Sequence, residues 1–138
     1  MDQLLEFASN HWYLVLALLA TLAMLIFTES RKGGKSLSTH DATRLINKED
    51  AVVLDIRQKK EFQTGHIVSA INIPYADLDK RIGELNKHKS KPVIVVCNLG
   101  QTASGAVKKL NDAQFENVQR LRGGMTEWKA QNLPVVRK

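Results

Sequence analysis

The chain has one cysteine, Cys97, in 138 residues, so it forms no internal disulfide. That usage fits a reducing compartment and leaves the thiol free for chemistry. The four histidines, His11, His40, His66 and His88, are scattered without ligand spacing and assemble no zinc or iron site. Gly33-Gly34-Lys35-Ser36 imitates the end of a phosphate-binding Walker loop, but the first glycine of such a loop would fall on Glu29 and no strand precedes it. Neither metal nor cofactor is expected. Cations are missing from the first 30 residues, where Asp2, Glu6 and Glu29 are the charges. From Arg31 onward, 20 basic groups face 11 acidic ones, a formal +9. Such an excess draws a domain toward polyanions. With no nucleic-acid motif and no aromatic-interleaved basic helix, the expected partner is a lipid surface rather than nucleic acid. Solubility alone is the other explanation.

Charge is also absent from residues 12–27, WYLVLALLATLAMLIF. Sixteen residues at ~1.5 Å each reach about 24 Å, short of a ~30 Å hydrocarbon core, and His11 and Thr28 extend the run. Arg31 and Lys32 are placed to snorkel toward headgroups, and Trp12 and Tyr13 sit where interfacial aromatics belong. A cleaved signal peptide needs positive charge before the run and small residues after it; the leading residues here are acidic. A buried helix of a soluble domain would show a polar face, which this run lacks. Basic residues follow the run and none precede it, so the positive-inside rule places the C-terminal domain in the cytoplasm. The expectation is a single-pass anchor in a bacterial inner membrane. Residues 1–11 form a short extracytoplasmic N-terminus, 12–28 a transmembrane helix bound by lipid, 29–36 a linker and 37–138 the folded domain. Ala17 and Thr21 make a small-xxx-small pair of the kind that packs helices, though such pairs recur by chance in Leu/Ala-rich spans.

Within the domain, strands alternate with helices. Ser38 is placed to cap a helix over 39–47, with Asp41 as its capping-box partner. Residues 51–56 (AVVLDI) read as a strand, 58–63 as a helical turn and 71–73 as a brief strand closed by Pro74. Residues 75–85 have helical spacing through Leu78, Ile82 and Leu85. A fully apolar strand over 93–96 runs into Cys97, and a helix over 101–111 aligns Ala103, Ala106, Val107 and Leu110. A strand over 118–121 and a helix over 125–131 complete the chain. Short apolar strands alternating with helices predict an α/β fold, a mostly parallel sheet covered on both faces.

Sites in such sheets form at the carboxyl ends of strands, where Cys97 lies. The residues after it, Asn98, Leu99, Gly100, Gln101 and Thr102, are placed to wrap backbone amides around the sulfur, with Gly100 permitting the curvature. Amides and a helix N-terminus together make an anion site suited to a thiolate or persulfide. The other reading is an inert buried cysteine.

Four segments then resemble a known family in order. Val53-Leu54-Asp55-Ile56-Arg57 with Glu61-Phe62, Gly65-His66-Ile67 through Ala70-Ile71-Asn72-Ile73-Pro74, Cys97-Asn98-Leu99-Gly100, and Leu121-Arg122-Gly123-Gly124 with Trp128 and Leu133-Pro134-Val135 resemble a single rhodanese domain. The resemblance covers about 36–136. It implies a rhodanese-like three-layer fold in which Cys97 accepts sulfane sulfur as a persulfide and passes it to a protein or small-thiol acceptor. It also implies that Asn98, Leu99, Gly100, Gln101 and Thr102 cradle that sulfur. Asp55, Arg57, Gly65 and His66 match family signatures and read as architectural. Arg57 and Glu61, four apart, are expected to pair, and Asp55 to cap neighbouring amides.

The chain departs from the family at one position. Catalytic rhodanese loops carry an arginine five residues after the cysteine, where this chain has Thr102, followed by Ala103. A guanidinium gives an anionic donor a fixed charge and a bidentate fork; a hydroxyl gives one hydrogen bond. Thiosulfate is therefore a poor expected donor, and the same loop argues against a cysteine phosphatase, which needs an arginine where Ala103 stands. Two functions remain: a sulfurtransferase, or a docking module for a membrane or membrane-associated protein.

Overall fold

The computed structural model describes residues 1–32 and 35–137. They fall into two compact units, 1–32 and 33–138. The first unit holds two helices, α1 (Asp2–Asn10) and α2 (Trp12–Lys32), bent by 89° at His11. Among the described residues no single helix is long and apolar enough to cross a membrane. Asp2–Asn10 together with Trp12–Thr28 has the required length and composition, but as a bent pair. The expected helix over 12–28 thus lies inside a longer one, and the expected extracytoplasmic segment 1–11 is largely helical.

The second unit is built on five strands: β1 (Lys35–Leu37), β2 (Val52–Asp55), β3 (Ile71–Asn72), β4 (Pro92–Val96) and β5 (Asn117–Leu121). They form one sheet in the order β1-β5-β4-β2-β3, and every pairing is parallel. Parallel neighbours need crossovers, supplied here by α3 (Thr39–Lys48), α4 (Lys59–Thr64), α5 (Leu78–Arg81) and α6 (Ala103–Asp112). α7 (Gly124–Ala130) follows β5.

The strand period of two sorts β4 into two cores. Val93, Val95 and Cys97 face one side, with Ala103, Ala106, Val107 and Leu110 of α6. Ile94 and Val96 face the other, with Ala42 of α3 and Met125 and Trp128 of α7. Both faces of the central strand are buried, which is why its sequence is uniformly apolar rather than alternating.

Ser38 caps α3 as expected, its hydroxyl accepting from the Asp41 amide at 3.1 Å. Three elements differ from the sequence reading. Of the 29–36 linker, residues 33–34 lie outside the described residues, 29–32 continue α2, and Lys35 and Ser36 open β1, in register with Gln119 and Arg120 of β5. The helix over 75–85 is broken into a 3₁₀ turn (Tyr75–Asp77), α5, and a 3₁₀ segment (Ile82–His88), because Arg81 leaves helical geometry at φ −109°, ψ 2°. Beyond α7, Val136 returns to bridge His66, through paired backbone bonds of 2.8 and 2.9 Å.

Candidate functional site

Strand β4 delivers Cys97 to the carboxyl edge of the sheet, and the five residues after it connect to α6. Cys97 and Gly100 are buried, whereas Asn98, Leu99, Gln101 and Thr102 are exposed. Cys97, Asn98, Leu99, Gln101 and Thr102 line a depression of about 320 Å³ with Ile56, Arg57, Gln58 and Glu61. Cys97 is only 5% exposed, yet it contributes to the wall of an open pocket. The Gly100 amide donates to Cys97 Sγ at 2.9 Å. Among the described residues, Gly100 is the member of the expected cradle whose N–H is aimed at the sulfur.

Two outside contacts set that geometry. Gly100 has φ +90°, and a Cβ there would stand 3.3 Å from the Gly123 nitrogen and the Leu121 oxygen. Glycine is therefore required both by conformation and by space. From below, Arg120 of β5 donates from Nη1 to the Gly100 carbonyl at 3.2 Å, while its Nε is buried without a partner. In a trans peptide the carbonyl and the following N–H point in opposite directions. The grip on the Gly100 oxygen thus turns the Gln101 N–H away from Arg120. The same guanidinium brings a positive charge to a loop that has Thr102 where an arginine was expected.

The other anchor is α7. The Met125 amide donates to the Cys97 carbonyl at 2.8 Å and the Thr126 amide to the Asn98 carbonyl at 3.0 Å. Gly124, at φ +58°, lies so close that an added Cβ would enter both carbonyls.

Across the pocket, Asp55 and Arg57 form a buried ion pair at 2.8 Å with side chains 1% and 3% exposed. Asp55 Oδ1 also accepts from the Arg57 amide at 3.0 Å, so the capping expected of Asp55 is present. Arg57 Nη2 donates to the Gly65 carbonyl at 2.8 Å, tying β2 to the loop after α4. Asn72 donates from Nδ2 to the carbonyls of Asp55 and Arg57. His66 stacks on Phe62 at 3.7 Å, with Nδ1 2.8 Å from the Phe62 carbonyl. Asp55, Arg57, Gly65 and His66 are thus each held by contacts around β2 and α4, and Arg57 also lines the pocket beside Cys97. The expected Arg57–Glu61 pair does not form. Arg57 precedes α4, so the two are not one helical turn apart, and Glu61 instead accepts from Asn98 Nδ2 at 3.0 Å.

Sequence reasoning missed Arg120 and the link between Glu61 and Asn98. Arg120 reaches the loop because β4 and β5 pair in parallel, with Val95 opposite Arg120. Nothing local to Arg120 signals this. Gly123 and Gly124 were visible only as part of a resemblance.

A parallel five-stranded sheet with a cysteine loop at its carboxyl edge defines a class, and the comparisons agree with it. The model of the rhodanese-like domain matches residues 38–131. The chain belongs to that family. An uncharacterised protein of Escherichia coli K12, YibN, is 39% identical over 141 residues, covering 99% of both chains. Thiosulfate sulfurtransferase GlpE of Pseudoalteromonas translucida is 34% identical over 96 residues, covering 70% of this chain and 90% of its own. The crystal structure of a rhodanese-related protein from Thermoplasma volcanium superposes with a TM-score of 0.69 at 29% identity, over 75% of this chain and 99% of the other.

Proposed function

We propose that this chain is a membrane-anchored sulfurtransferase that carries sulfane sulfur as a persulfide on Cys97. The observation that carries the reading is the Gly100 amide held on Cys97 Sγ at the wall of a solvent-open pocket. In the reaction, the Cys97 thiolate attacks the outer sulfur of a donor persulfide. An S–S bond forms to Cys97, the donor's S–S bond breaks, and its electron pair leaves with the donor thiolate. An acceptor thiolate then attacks the outer sulfur and releases the Cys97 thiolate. No external oxidant or reductant is consumed. The lining favours a protein or small-thiol persulfide over thiosulfate: position 102 offers a hydroxyl in place of a guanidinium, and Glu61 adds negative charge beside Asn98.

Anchoring is supported by the uncharged run 12–27, by Arg31 and Lys32 after it, and by the exposure of Trp12, Leu14, Leu18 and Leu25. The proposed orientation places the domain in the cytoplasm of a bacterium. Resistance to alkaline extraction and protease cleavage of the domain only from the cytoplasmic side test this; release into the soluble fraction refutes it.

For the chemistry, the full chain is incubated with thiosulfate and with glutathione persulfide and its intact mass is measured. Gain of one sulfur atom, lost in Cys97→Ser, is expected with the persulfide. Failure of both donors rejects the carrier reading. Thr102→Arg should then raise thiosulfate turnover if the pocket is otherwise competent. The missing loop arginine itself favours a second reading, a non-catalytic docking module; a partner that co-purifies equally with Cys97→Ala supports that reading.

A further inference from the structure

The first nine-residue helix has a surface that the anchoring reading does not use. On a helical wheel at 3.6 residues per turn, α1 divides cleanly. Leu4, Leu5, Phe7 and Ala8 fall on one side; Asp2, Gln3, Glu6, Ser9 and Asn10 fall on the other. Leu4, Leu5 and Phe7 are 72%, 68% and 55% exposed. Segregation this complete places an apolar stripe along a helix that buries none of its residues within the protein.

The bend to α2 is a built feature. His11 closes α1: its amide donates to the Phe7 carbonyl at 2.9 Å, its Nδ1 lies 3.2 Å from the same oxygen, and its ring stacks on Phe7 at 4.6 Å. Trp12 and Tyr13 stand at the elbow, edge to face at 6.4 Å. Two helices at 89°, one amphipathic and one uncharged from Trp12 to Thr28, with aromatic residues at their junction, match the two environments of a bilayer.

Length points the same way. Trp12–Thr28 at ~1.5 Å per residue reaches about 26 Å, a few ångströms less than a ~30 Å hydrocarbon core. A helix lying flat sinks roughly 5–10 Å into the boundary between headgroups and acyl chains. If α2 begins at that depth, its shortfall disappears.

We propose that α1 lies in the plane of the bilayer interface, with its Leu4–Leu5–Phe7 stripe in the acyl region. This rests on the anchoring reading. The polar face carries Asp2 and Glu6 and no cation, so apolar burial, rather than attraction to anionic lipid, holds the helix.

The test uses the full chain in phosphatidylethanolamine–phosphatidylglycerol vesicles, in a Cys97→Ser background. An environment-sensitive fluorophore is attached at Leu5→Cys, Glu6→Cys or Ala20→Cys. Quenchers are aqueous iodide and lipids brominated at shallow or deep positions. Position 5 should be shielded from iodide severalfold more than position 6 and quenched best by shallow bromine, with position 20 quenched best by deep bromine. Adding Leu4→Gln and Phe7→Gln should abolish the difference between positions 5 and 6 and leave position 20 unchanged. Equal iodide access at 5 and 6, with 20 still deep, overturns the interfacial helix alone. Deep quenching at 5 overturns it too, because α1 would then be part of a broken span. Loss of lipid quenching at 20 overturns the anchor on which it rests.

Discussion

Gly124 offers a direct test of how the cysteine loop is held. In Gly124→Ala the new Cβ would press into the carbonyls of Cys97 and Asn98, lying 2.6 Å from the Asn98 oxygen, and all three nearest atoms are backbone. The residue would also keep a left-handed conformation at φ +58°, a cost of roughly 1–2 kcal/mol for a residue with a side chain. Relief requires the loop to lift, which weakens the bonds from Met125 and Thr126, each worth roughly 0.5–1.5 kcal/mol. The sum is about 2–5 kcal/mol, or a fall in Tm of at least ~10 °C for a domain of this size. Gly105→Ala is the control. Its Cβ would meet the Tyr75 hydroxyl at 2.5 Å, so that ring, packed on the core and under Lys109 Nζ, must shift; but the atoms met belong to a side chain rather than to backbone, and alanine in a helix recovers roughly 0.5–1 kcal/mol. Urea unfolding of the full chain in detergent, followed through buried Trp128 in a Trp12→Phe background, measures both. A Gly105→Ala loss clearly smaller than that of Gly124→Ala, which also loads sulfur poorly, is expected. A Gly124→Ala protein with normal stability and loading would show that α7 does not support the loop.

Asp55→Ala leaves Arg57 buried without its carboxylate and should cost roughly 3–5 kcal/mol in urea unfolding, with Arg57→Met recovering part of the loss in the double variant. Arg120→Met should slow sulfur transfer severalfold with a smaller effect on stability, and Arg120→Lys should restore part of the rate; equal rates in all three would remove Arg120 from the site. His88 is held below its ordinary value of 6.5, first by burial and then by Lys87 and Lys91, with Asp50 opposing. The folded state therefore binds fewer protons than the unfolded chain below about pH 6.5, and stability falls as pH drops through that region. His88→Gln should flatten the fall between pH 7.5 and 5.5; an unchanged slope would assign it to other groups.

The parts of this fold that could be read from sequence are those whose cause is local. Ser38 announces its helix because the cap bond spans three residues, and the run into Cys97 announces a central strand because both its faces are buried. Strand β1 was hidden because Lys35-Ser36-Leu37 has no strand signal of its own; its extended form comes from pairing with β5, more than 80 residues away. Helix α1 was passed over beside the longer apolar run, although its two faces are plain once it is placed on a wheel. At the site, the cysteine and its glycine were legible from their order after a strand. The grip of Arg120 on Gly100 was not, since it depends on which strands are neighbours. The expected Arg57–Glu61 pair failed for a related reason: a spacing of four means contact only inside one helix, and Arg57 lies before α4 begins.

Under the proposed sulfur transfer, the two amide bonds from α7 to the carbonyls of Cys97 and Asn98 bear on how sulfur would change hands. A nucleophile pinned by its own backbone to a helix is a fixed post, not a swinging arm. Delivery must then be made by the visitor, which has to push its own sulfur into the depression beside Thr102. On that proposal, proteins that present a cysteine on a protruding or pliant tip, and small thiols, would fit the demand; a partner whose cysteine lies in a flat surface would not.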